Sequence, residues 1–208
     1  MMKNVSKAAK LIEIGNEGDP RGISVVPKPD VLKMMAVDTT SIDLRLGRWF
    51  LTLRQSRTEI LDPLVQREEE GSESRTTKRY FVPFAERFIL HPGRFALGAT
   101  LEWIRLPTGI SGYVTGKSSW GRRGLIIETA AGVHPGFSGC LTLELANVGE
   151  IPIALRPGMP VCQIFLHDTE DALDTAKLPS SRFSGKRRPT LGRIHPDPLY
   201  VRLNRRNC

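Results

Sequence analysis

Residues 138–167 read SGCLTLELANVGEIPIALRPGMPVCQIFLH, and their pattern decides the fold class. Leu141, Leu143 and Leu145 alternate with Thr142, Glu144 and Ala146. A half-buried strand requires this period of two, because successive side chains leave opposite faces of the pleat. The runs IPIAL (151–155) and VCQIFLH (161–167) follow, separated by NVGE (147–150) and RPG (156–158), where Pro presets φ and Gly admits positive φ. Working outward, ISVV (23–26), SIDLRL (41–46), WFLTL (49–53), FALGATLEWI (95–104) and GLII (124–127) read as further strands, with turns at HPG (91–93), LPTG (106–109) and HPG (134–136). Helical periodicity is suggested only around Pro29–Met35, and the polar stretch QREEEGSESRTTKR (66–79) reads as a solvated loop. Short strands at this density predict a mainly all-β chain, a barrel or a sandwich.

A length of 208 residues suits one compact domain, and 40% hydrophobic content with 25% charged residues excludes a disordered chain. The formal net charge of +8 is unevenly placed: residues 182–208 carry eight Lys and Arg against Asp197 alone. Such a basic, Pro- and Gly-containing tail predicts an anionic partner, and a mobile arm over residues 179–208 that closes on a ligand held by the domain at 1–178. Simple solubilising charge is the alternative. No apolar run reaches the roughly 18–20 residues that cross a bilayer, and the start MMKNVSKAAKLIEIGNEGDP lacks a signal-peptide core. The expectation is a soluble cytoplasmic protein with no membrane partner. Cys140, Cys162 and Cys208 have the wrong number and spacing for a disulfide framework, and the first two read as small buried hydrophobes.

The densest polar cluster is GKSSWGRRG (116–124). Glycines that let backbone N–H groups approach, two hydroxyls and three cations suit phosphate binding, although the spacing is not that of a P-loop. A surface turn rich in Ser and Arg is the competing reading. Glu144 either faces solvent on the polar side of its strand or points into a site where a carboxylate can move protons near neutral pH, with Thr142 on the same face. His134 stands before a Pro-Gly turn. Zinc is not expected, because no His or Cys pair has ligand spacing and the H-x-E with P-C-x-x-C signature is missing. A G-x-S-x-G elbow is also missing. Nucleic acid is the weaker choice of partner, since aromatic residues make up 7% of the chain and no strand offers an evident stacking platform.

Taken together, SIDLRLG (41–47), LHPGRFALGATLEWIRLP (90–107), GKSSWGRRGL (116–125), residues 134–166 and RFSGKRRPT (182–190) resemble, in order, the blocks of the dCTP deaminases of the dUTPase-like superfamily. The resemblance implies a dUTPase-like distorted, jelly-roll-like β-barrel with short helices, and a homotrimer with active sites between subunits. It implies zinc-independent hydrolysis of dCTP to dUTP and ammonia, with Mg²⁺ bound through the triphosphate and dTTP as a further candidate ligand. An enzyme carrying dCTP through to dUMP, a dUTPase and a noncatalytic nucleotide sensor are the alternatives.

Residue by residue, the resemblance makes Glu144 the proton shuttle, with Ser118 positioning the water or leaving amine and Arg122 stabilising charge. It assigns nucleotide contacts to Lys117, Ser119, Trp120, Gly121, His134, Thr142, Leu143, Gln163, Arg182 and Lys186. Lys117 and Trp120 stand where the family has Arg and Leu. His134 stands where it has an aspartate, and the preceding ETAAGV (128–133) is one residue short. The family's tyrosine before the arm has no counterpart near Thr175.

Overall fold

A computed structural model describes residues 5–30, 41–54, 76–128, 132–169, 184–192 and 197–203. Among the described residues thirteen strands run in chain order: β1 (Ser24–Val26), β2 (Ser41–Leu53), β3 (Thr77–Phe81), β4 (Phe88–Leu90), β5 (Phe95–Thr100), β6 (Trp103–Arg105), β7 (Ile110–Gly116), β8 (Leu125–Glu128), β9 (Gly132–Val133), β10 (Ser138–Gly139), β11 (Thr142–Asn147), β12 (Ile153–Leu155) and β13 (Pro160–Asp168). Three helices accompany them among the same residues: α1 (Val5–Asn16), the single turn α2 (Ser118–Gly121) and α3 (Pro198–Leu203). The mainly β class expected from the alternation is what forms.

The principal sheet has the order β8-β11-β5-β2-β13-β7-β9, with β3 also paired to β2. It curls so strongly that β7 returns beside β8: a Cβ added at Gly116 would sit 3.1 Å from Cβ of Ile127. That is the half-closed barrel geometry. A three-stranded sheet β1-β6-β10 and the pair β12-β4 accompany it. β2 joins the expected runs 41–46 and 49–53 into one 13-residue strand. Its first half pairs with β13 and its second with β3 and β5, with a register shift between Leu46 and Phe50.

Leu44, Leu46, Phe50, Ile104, Leu125, Leu143 and Leu145 fill the core with essentially no solvent contact. Asn147, also buried, ends β11 with every side-chain group used. Its Nδ2 donates to the carbonyls of Leu90 and Ile151, both at 2.9 Å, and its Oδ1 accepts from Gly149 N–H at 3.0 Å. A buried amide is tolerated only when so satisfied.

Two sequence expectations change here. The segment VSKAAKLIEIGN forms α1, which buries Ala8, Ala9 and Ile12 against the core and receives the Ile23 N–H on the carbonyl of Leu11 at 2.8 Å. Thr77–Arg79, placed in the loop at 66–79, instead belong to β3, because Leu51–Leu53 provide backbone partners across the ladder. The helical expectation at Pro29–Met35 falls mostly outside the described residues. Among the described residues no helix is long and apolar enough to cross a membrane.

One acid lies deep in the fold. Glu102, 2% exposed, accepts the Arg45 backbone N–H on Oε2 at 2.8 Å, and Arg45 Nη1 lies 3.4 Å from Oε1. Its own backbone carbonyl accepts from Thr100 Oγ1 at 2.9 Å, and the same hydroxyl accepts from Leu141 N–H at 2.9 Å. Glu102 thereby ties β2, β5 and the entry to β11 together. Burial pushes its carboxyl above the ordinary value of 4.5, against the opposing pull of the Arg45 hydrogen bond and charge.

The folded protein therefore holds the Glu102 proton more tightly than the unfolded chain does. Its stabilisation is complete below pH 4.5 and declines as pH rises toward the higher folded value. Each unit of that displacement is worth about 1.4 kcal/mol. Glu102→Gln cannot titrate. The melting temperature of the parent relative to Glu102→Gln is expected to fall steadily as pH rises from 4.5, by about 2–4 °C per kcal/mol. Thermal unfolding of both proteins across that pH range checks it, and a constant or rising difference contradicts it.

Candidate active site

β11 is held on both sides, by β5 through Thr142↔Ala99 to Ala146↔Phe95 and by β8 through Glu144↔Glu128 to Asn147↔Leu125. A strand zipped on two edges cannot rotate, so its alternation decides which side chain goes where. Leu143, Leu145 and Asn147 enter the core, while Thr142 and Glu144 are half-buried on the other face. That face closes one wall of a cavity of about 370 Å³. Leu97 and Phe95 of β5, Val114 of β7, Val133 of β9, and Phe137, Cys140 and Leu141 complete its largely apolar lining, with His134 at the turn after β9. Thr190 and Leu191 of the C-terminal arm form the remaining wall.

Glu144 thus takes the second of the two orientations open to it from sequence, into a pocket and not outward. Thr142 and His134 line the same pocket. Leu143 does not: its side chain is fully buried in the core, which leaves only its backbone for any ligand there. Burial pushes the Cys140 thiol above its ordinary value despite the pull of Arg187, and pushes Cys162 up to about 12. Both stay protonated at neutral pH and serve as apolar filling.

The serine–arginine turn occupies a different place. Lys117 leaves β7 with its backbone N–H on the carbonyl of Val161 at 3.0 Å, and its Nζ lies 2.7 Å from both carboxylate oxygens of Asp43. Ser118, Ser119, Gly121 and Arg122 are exposed on α2 and its end. Trp120 is anchored: its Nε1–H donates to the carbonyl of Pro160 at 2.9 Å and its ring packs on the core. On β13, Gln163 stands opposite both Asp43 of β2 and Thr115 of β7, and its Oε1 accepts from Ser41 Oγ at 3.0 Å. Lys117, Asp43, Gln163 and Ser41 make a polar face beside the exposed hydroxyls and Arg122.

Within the chain these two features are separate. None of residues 117–122 lines the Glu144 cavity, and no Lys or Arg is among its described lining. The cavity can enclose a flat apolar-faced ring beside a carboxylate; the turn can hold an anion. Lys186 lies exposed on the arm next to the cavity, while Arg182 and residues 129–131 of the loop before His134 fall outside the described residues. Sequence reasoning passed over Asp43, Thr190 and Leu191. Asp43 had a visible signal in the motif SIDLRL, but its pairing with Lys117 spans 74 residues and needs the fold.

Comparisons with known proteins identify the family. Residues 25–169 match the model of the family described as dCTP deaminase-like. A protein of Corynebacterium diphtheriae named "dCTP deaminase, dUMP-forming" is 41% identical over 158 residues, covering 74% of this chain and 81% of the relative. One of the same name from Mycobacterium sp. (strain KMS) is 38% identical over 197 residues, 92% of this chain and 97% of the relative. Among solved structures, the 2'-deoxycytidine 5'-triphosphate deaminase from Agrobacterium tumefaciens superposes with a TM-score of 0.58 at 20% identity over 79% of this chain. This chain spans 47% of that protein's length, and the likeness speaks to the fold. With a family match across the whole described barrel and relatives at this identity, the chain belongs to the dCTP deaminase-like family.

Proposed function

We propose that this chain hydrolyses the 4-amino group of dCTP and carries the nucleotide to dUMP, in an assembly that completes each site from two copies. The observation that carries the proposal is Glu144, fixed by β11 in a ring-sized, apolar-walled cavity in a member of this family. The sequence led to dUTP as the end product. The relatives' names end at dUMP, and the proposal follows them: two waters are consumed, and ammonia and pyrophosphate leave.

In this reading the pyrimidine sits against the apolar wall with C4 toward Glu144. The carboxylate takes one proton from the attacking water and hands it to the ring nitrogen, then carries the second, from the new C4 hydroxyl, to the departing amine, which leaves as ammonia, a role worth roughly 10²–10⁴-fold in rate. Thr142 holds the ring edge, and His134 meets the sugar side of the cavity. Charge and leaving-group positioning come from Arg122 and Ser118 of a neighbouring copy, since no cation of the same protomer is in the described lining. Lys117, Ser119 and Gln163 take the phosphates beside them. Mg²⁺ bound to the triphosphate would offset part of its charge, as a hard cation suited to phosphate oxygens. The support for a homotrimer is the incompleteness of the single protomer together with the family resemblance.

Incubating the purified protein with dCTP and Mg²⁺ is expected to yield ammonia, pyrophosphate and dUMP in equal amounts, followed by nucleotide chromatography, an ammonia assay and a pyrophosphate assay. Accumulation of dUTP without pyrophosphate would return the product to the simpler deamination, and no product at all would remove the activity. Glu144→Gln should keep nucleotide affinity within a few-fold while turnover drops about 10²–10⁴-fold. Unchanged ammonia release would remove the carboxylate from the mechanism.

Complementation tests the shared site. Glu144→Gln and Arg122→Ala are each expected to be nearly inactive alone. Mixed assemblies made by co-expression should recover ammonia release, because some interfaces then join an intact Glu144 to an intact Arg122. Mixed assemblies, verified by two different affinity tags, that remain as inactive as the parents would place both residues in one protomer.

A further inference from the structure

The basic arm is docked on its own barrel by a specific set of contacts. Gly185 N–H donates to the carbonyl of Ser138 at 2.7 Å, and Cys140 N–H donates to the carbonyl of Lys186 at 2.9 Å, so the arm adds a short strand-like edge to β10. Ser184 Oγ reinforces it, donating to the Ser138 carbonyl at 3.1 Å and accepting the Ser138 N–H at 3.2 Å. Gly139, between these positions, leaves room for the approach: a Cβ there would lie 3.3 Å from the Lys186 carbonyl oxygen. Beyond this edge the Arg187 guanidinium lies 4.7 Å from the Trp103 ring centre and that of Arg188 lies 4.1 Å from the Trp49 ring centre. Trp103 is itself fixed, donating from Nε1 to Ser138 Oγ at 3.1 Å, and Trp49 is braced by Phe81 with ring centres 4.9 Å apart. After these two arginines Pro189 is buried, and Thr190 and Leu191 form the cavity wall facing Glu144.

We propose that Trp49 and Trp103 are positioning residues: two aromatic posts that clasp Arg188 and Arg187 and so set the arm as the closing wall of the Glu144 cavity. The contacts sit immediately before the lining residues, so releasing them removes the wall without touching Glu144, Thr142 or His134. Two guanidinium–indole contacts at partly exposed positions each shift an equilibrium about threefold to fivefold, and independent contacts multiply. The docked state then dominates without being permanent, and the arm can admit and release a ligand. The consequence for substrate affinity rests on the proposed function; the docking itself does not.

Limited trypsinolysis reads the docking directly, because Lys186 and Arg187 are cleavage sites inside the docked segment, while the Arg188–Pro189 bond resists trypsin. Trp49→Leu and Trp103→Leu are each expected to raise the rate of cleavage after Lys186 and Arg187 about threefold to fivefold, and the double variant about tenfold or more. Trp49→Phe and Trp103→Phe, which keep a ring face, should stay close to the parent. With dCTP as substrate, the Leu variants should raise KM by similar factors while kcat stays within about twofold, because saturating ligand re-closes the arm. Should a Leu variant fail to fold, the Arg187→Gln/Arg188→Gln protein replaces it, with hydrogen exchange of the Gly185 and Cys140 amides as the readout and about tenfold faster exchange expected. Cleavage and exchange at parental rates in folded variants would overturn the proposal. An altered cleavage rate in a protein that turns over no nucleotide would leave the posts standing and dismiss the proposed reaction.

Discussion

Everything in the site follows from the pinning of β11 between two antiparallel neighbours. With β5 and β8 bonded along its opposite edges, a one-residue slip would drive Glu144 into the space now held by Leu143 and Leu145 and bring those leucines into the cavity. Burying an unpaired carboxylate in that core costs several kcal/mol, and exposing two leucines costs about 2 kcal/mol each. The register is therefore determined by the same apolar contacts that stabilise the barrel. Position of the carboxylate and stability of the fold are one constraint. Asn147 at the far end and Thr100 at the near end, both fully hydrogen-bonded, keep the strand from fraying where the cavity opens.

The two polar clusters stand apart within the chain. The Glu144 carboxylate lies in an apolar cavity with no Lys or Arg in its described lining. Lys117 is held instead by Asp43, on the outer face where β2, β13 and β7 run side by side. β7 reaches both clusters: Val114 lines the Glu144 cavity, while Lys117 at the end of the strand turns to Asp43. The proposed substrate, an uncharged ring joined to a polyanion, has one end suited to each.

Much of this was legible in the sequence where local pattern and tertiary structure agree. The period of two in Leu141–Ala146, the turn residues at 156–158 and the apolar run 161–166 each correspond to the strand or turn expected. Patterns failed where stability comes from distant partners. α1 has short apolar spacing in a Lys- and Glu-containing segment, and it becomes a helix because Ala8, Ala9 and Ile12 find the core. β3 looks polar because Lys78 and Arg79 are exposed on the ladder with β2, while Thr77 is buried. The Glu102–Arg45 tie was invisible because neither residue stands out alone; only the fold brings positions 57 residues apart into contact. Leu143 was assigned with Thr142 and Glu144 through the family resemblance, and the pleat leaves only its backbone on their side of the strand.

The arm completes the argument about charge. Its net positive composition was read as an offer to an anion, yet Arg187 and Arg188 already lie on indole faces and Lys186 uses its carbonyl to extend β10. A guanidinium stacked on a ring keeps its in-plane N–H groups free, since the cation–π contact uses the face and hydrogen bonds use the edge. The same side chain can therefore hold the arm against the barrel and still present donors to an approaching phosphate. In the proposed reaction, an anion meeting those edges would add to the contacts that keep the wall in place.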